Sequence, residues 1–130
     1  MKIKTLAILG AATLSLSGFA QAGTCTGGDG GGCALTASNS ATDNTYTAGT
    51  DGFVVNDFTF STSANVGLNS AEDSVAVAVG TASNKGRNAF TGSSNGGSVS
   101  NCGEPTTGSA IPDVPSPSTD AADESGCTGS

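Results

Sequence analysis

Large apolar side chains are sparse in this chain, and where they gather their spacing is two. Within residues 53–102, Val75, Val77 and Val79 alternate with Ala76 and Ala78. Ala64, Val66 and Leu68 alternate with Asn65, Gly67 and Asn69, and Val54, Phe58 and Phe60 share one side of an extended segment interrupted only by Asn56. Successive side chains of a strand point to opposite faces, so this period marks strands, and β-branched and aromatic residues suit a pleated surface. The intervening stretches read as turns: the polar run 69–74, Asn84-Lys85-Gly86 with a glycine able to take positive φ, and Asn95-Gly96, the strongest short hairpin signal in the chain. The pattern predicts five strands, at 53–61, 64–69, 74–81, 87–92 and 97–102, linked as an antiparallel meander. The expected fold class is therefore all-β, with Phe58, Phe60, Val66, Leu68, Val75, Val77, Val79 and Phe90 as its packing residues.

On either side the composition changes. Residues 23–52 are Gly, Ser, Thr, Ala and Asn with Leu35 and Tyr46 as the large apolar exceptions. They read as a flexible lead-in with one short strand near 33–37. Residues 103–130 hold all four prolines, Pro105, Pro112, Pro115 and Pro117, and the acids Asp113, Asp120, Asp123 and Glu124. Segments of this kind bury too little apolar surface to offset their ordering entropy, so both arms are expected to be low-complexity and largely disordered.

Residues 1–22 have the pattern of a cleaved secretory signal. Lys2 and Lys4 precede an apolar and small-residue run over 6–19, and Ala20-Gln21-Ala22 supplies a small-x-small cleavage site. The run falls short of the ~20 residues that span a bilayer, so no stable membrane insertion is expected after cleavage. The predicted destination is outside the cytoplasm through the Sec pathway: extracellular or cell surface, with the periplasm as an alternative. An even count of cysteines in an exported chain favours disulfides. Cys25, Cys33, Cys102 and Cys127 allow three pairings. Local closure, Cys25 with Cys33 and Cys102 with Cys127, is favoured because the glycine run 27–32 turns back without steric cost. The other two pairings would close longer loops and stabilise more.

Composition removes several function classes. The chain has no His, which leaves no Ser-His or Cys-His nucleophile pair and no imidazole metal ligand. Gly92-Ser93-Ser94-Asn95-Gly96 matches G-x-S-x-G, but it lacks a base and a following helix. The run Gly27-Gly28-Asp29-Gly30-Gly31-Gly32 lacks the Lys-Ser/Thr end of a phosphate loop and the repeated Asp of a calcium repeat. The cysteine spacing C-x7-C does not suit zinc. No catalytic residue, metal site or cofactor is predicted. Once Lys2 and Lys4 leave with the signal, Lys85 and Arg87 face eleven acids, a balance of −9. Nucleic acid as a partner is excluded, since phosphate contact needs clustered Lys and Arg.

A five-strand sheet with so few large apolar residues leaves one face with little to cover it. Disulfides or association with other copies would close the gap. The expectation that follows is an exported, non-enzymatic structural subunit of an extracellular or cell-surface assembly (a filament, adhesive layer or matrix) that self-associates. A small disulfide-stapled module binding calcium or a glycan is the alternative, and a secreted toxin or peptide precursor is a second.

Overall fold

The computed structural model describes residues 23–107 and 111–128; the predicted signal, residues 1–22, lies outside them. The described chain is all-β. In order it forms β1 (Thr24–Thr26), β2 (Gly32–Leu35), β3 (Thr42–Thr47), β4 (Phe58–Thr62), β5 (Val66–Glu72), β6 (Val77–Ser83), β7 (Ala89–Ser93) and β8 (Gly96–Asn101). All eight belong to one sheet, ordered β4-β3-β1-β2-β5-β6-β7-β8. Every neighbouring pair is antiparallel except β1 with β3, which run parallel.

The expected meander exists over β5 to β8. β4 departs from it: it crosses to the far edge and pairs with β3, Tyr46 opposite Phe58 and Asn44 opposite Phe60. Yet only residues 63–65 connect β4 to β5. A three-residue link can join strands that far apart in sheet order only if the sheet curls, and β4 does come back beside β5. Asn65 makes the corner with φ 66°, a left-handed conformation that asparagine tolerates. Inside the curl lie the Cys25–Cys33 disulfide and Tyr46, with Leu35, Val54, Phe60 and Leu68 packed against them.

The lead-in is thus not loose. It supplies β1, β2 and β3, because inward positions Cys25, Cys33, Asn44 and Tyr46 fall at every second residue and are buried. The β1–β2 hairpin turns through Gly28 and Gly30, both at positive φ (113° and 78°), which places Cys25 and Cys33 opposite each other. Turn positions also shift. β5 runs on to Glu72, so Asn69 and Ser70 are strand residues, and the turn is 73–76, where the Asp73 side chain accepts from the N–H groups of Val75 and Ala76, each at 2.7 Å. Gly86 closes its turn by donating to the Ser83 carbonyl, but it does not have positive φ. At the β7–β8 turn the left-handed residues are Gly96 and Gly97, one step past the central pair Ser94 and Asn95. This is the geometry of a turn followed by a bulge rather than a type I′ turn.

The tail lies across the half of the sheet built by β5 to β8 and is held by particular contacts. Asn69 Nδ2 donates to the carbonyls of Val114 and Pro115 (3.4 and 3.3 Å), and Asn95 Nδ2 donates to that of Thr119 (2.7 Å). Pro117 bridges to Cys127, and a disulfide joins Cys127 to Cys102. The face it covers is made of small residues, with Gly67, Ala78, Gly80, Ala82, Ala89 and Thr91 all buried. A Cβ on Gly80 would stand 2.6 Å from the Pro115 carbonyl oxygen, so the strap backbone rests directly on the sheet there.

Candidate functional site

Alternation has a consequence for the packing residues read from sequence. The small face of β6 (Ala78, Gly80, Ala82) is buried, while the opposite face, which carries Val77 and Val79, is half-exposed. Register places Val77, Val79, Leu68, Phe90, Phe58 and Phe60 on one common face, concave because of the curl. Within one chain these packing residues are only partly covered. Phe58 is 45% exposed, Phe90 41% and Val75 71%. Phe60, Val66, Leu68, Val77 and Val79 are half-buried. The reason is that the strap covers the opposite face, where glycine and alanine let backbone approach.

The concave face holds two adjoining depressions. One, of about 350 Å³, brings together Phe58, Phe60, Leu68, Val77 and Val79 with Tyr46 and Val54. Tyr46 stacks on Phe58 with ring centroids 5.0 Å apart, and Phe58 meets Phe60 at 5.8 Å. The other, about 460 Å³, is lined by Val77, Val79, Phe90 and Val99. Val66 and Phe90 share a third, beside Thr81 and Arg87. Val75 joins none of these. No charged side chain lines either of the first two depressions, in a chain with eleven acids.

A second site was not legible as such in sequence: the buried carboxyl group of Glu72, 2% exposed at the end of β5. Its Oε1 accepts from Val54 N–H at 2.6 Å, and its Oε2 accepts from Gly28 N–H at 3.3 Å and from the Tyr46 hydroxyl. Its backbone also pairs with Gly30 and Gly31. One side chain thus ties the β1–β2 turn, the β3–β4 loop and strands β3 and β5 together. Burial first, then the hydrogen bond to Glu72 and its negative charge, hold the Tyr46 hydroxyl above the usual phenol range. Glu72 and Asp73 do not converge as a carboxylate pair. Asp73 caps its own turn, and those backbone N–H bonds, with help from Thr119, hold its carboxyl below the ordinary value. Nothing in the sequence pattern pointed to this junction: Tyr46 stands isolated in a polar segment.

Ser94 of the G-x-S-x-G match sits in the β7–β8 turn, where its hydroxyl oxygen accepts from Val77 N–H at 3.0 Å. No helix follows it among the described residues. No group of three or more acidic or thiol side chains gathers as a metal site among the described residues. No described helix is long and apolar enough to cross a membrane. Comparison with family models, curated proteins and solved structures finds no match to this chain.

Proposed function

We propose that this chain is an exported, non-enzymatic structural subunit whose copies associate through the concave apolar face, building an extracellular or cell-surface assembly. One observation carries the reading: Phe58, Phe90 and Val99 stay exposed beside half-buried Val77 and Val79 on the concave face, whose two main depressions no charged side chain lines. A contiguous exposed apolar surface is a mark of an interaction site. No acidic side chain lines the two depressions, and the carboxyl group that reaches this face, that of Glu72, is already buried and hydrogen-bonded within the chain, so contact between copies there buries no further carboxylate. The two disulfides support export, since such bonds persist in oxidising compartments. The test is sedimentation velocity and electron microscopy of the secreted protein over a concentration series. Particles that grow with concentration are expected; a single monomeric species at every concentration overturns the reading.

A further inference from the structure

We propose that the C-terminal strap, residues 111–128, exchanges between copies, so that in the assembled protein Cys127 of one chain bonds Cys102 of another. This rests on the assembly reading above and supplies its partner, a second copy of the chain. The chemistry of the strap's seat does not depend on which chain provides the strap. Asn69 and Asn95 donate to carbonyls of the strap backbone. Gly80 is bare where Pro115 rests, and Gly126 lies against the Gly92 carbonyl and the Ala78 methyl. A second copy's identical segment meets all of these equally well, which makes exchange an inexpensive route to association.

The strap's hold on its own sheet is limited. Its side-chain burial is confined to small groups: Pro112 and Cys127 are buried and Val114, Pro115 and Pro117 half-buried, while Ile111, its largest apolar member, is 56% exposed. Beneath it Thr91, opposite Gly80 in the register and 1% exposed, has a hydroxyl with no hydrogen-bond partner among the described residues. A buried hydroxyl left unpaired is a standing cost of closure. The disulfide therefore fixes which chain the strap serves. Self-closure is favoured in dilute solution by the high effective concentration of a tethered segment, and exchange is favoured where copies crowd. Either bond forms from two thiols, which give two protons and two electrons to a disulfide oxidant, here glutathione disulfide reduced to two glutathione thiols.

The test uses the unaltered chain. Equal amounts of ¹⁵N-labelled and unlabelled protein are reduced and unfolded together, then refolded at high concentration with glutathione and its disulfide. Assembled material is digested without reduction and the cystine peptides are weighed. Full exchange predicts that about half of the Cys102–Cys127 peptides carry one labelled and one unlabelled half, the statistical value for a second-copy donor. The Cys25–Cys33 peptides, closed within a tight hairpin, remain unmixed and serve as the internal control. Assembly with unmixed Cys102–Cys127 peptides overturns the exchange and leaves the assembly reading intact. A chain that never assembles overturns both.

Discussion

At the scale of residues, Glu72 does more for this fold than any of the phenylalanines expected to anchor it. Its carboxyl group satisfies two backbone N–H groups and the Tyr46 hydroxyl in a place that water does not reach. Replacing it by Ala strands those donors, each at ~1–3 kcal/mol. Glu72→Ala should therefore lose roughly 3 kcal/mol or more by urea unfolding, while Glu72→Gln, which keeps one carbonyl acceptor, loses less. Tyr46 adds a pH dependence with a definite sign. Its hydroxyl ionises at higher pH in the folded chain than at the unfolded value of 10.0. Its contribution is complete below that value and falls as pH rises past it, because the unfolded state releases the proton first. Thermal melts at pH 9 and pH 11 should differ in the native chain, and this component of the difference should vanish in Tyr46→Phe.

Elements were legible where side-chain size alternates, and illegible where small residues do the packing. The strands over residues 53–102 were foreseen because Val and Phe repeat every second position, although β4 and β6 each begin later than expected. The destination of β4 was not foreseen. A hairpin with β5 is what short-range signals favour, and its pairing with β3 depends on a curl that no local pattern encodes. β2 matches the one short strand expected near 33–37, but β1 and β3 escaped notice because their inward residues are Cys, Asn and Tyr rather than Val and Leu. The strap escaped because its fit rests on glycines in another strand, such as Gly80, that seat proline backbone. This gives a prediction at the same scale. Gly80→Val places carbon on Pro115 and should displace the strap, raising hydrogen exchange and proteolysis over residues 111–128. Opening the Cys102–Cys127 bond, whose cysteines are 25 apart in sequence, should cost about 3–4 kcal/mol, against roughly 2–3 for the shorter Cys25–Cys33 loop, on loop-closure entropy. Single cysteine-pair replacements followed by melting would check the order. The candidate site was half visible: its residues could be named in advance, but their role could not, since which face of a sheet is covered depends on where the tail goes.

For the whole molecule the balance lies between a largely apolar concave face that favours contact and a strongly acidic remainder that opposes it. Residues 23–128 contain every acidic residue and only Lys85 and Arg87 as cations. Copies that approach therefore repel one another at long range and attract at short range once the faces meet. These two forces respond differently to solvent. Salt shortens the reach of the repulsion, from ~30 Å at 0.01 M to ~8 Å at 0.15 M, and leaves apolar burial nearly untouched. Assembly should accordingly strengthen as salt rises over this range, the reverse of what ion-paired interfaces do. The double variant Phe90→Ser/Val99→Ser separates the terms. Val99 is 72% exposed and Phe90 41%, so folding stability should fall by only about 1–3 kcal/mol. The concentration needed for assembly should rise at least about tenfold, because both side chains leave the contact face. Light scattering over matched salt and concentration series measures both effects. A variant that assembles as readily as the native chain would place the contact elsewhere on the molecule; one that unfolds would mean that the concave face is closed in solution by the chain itself.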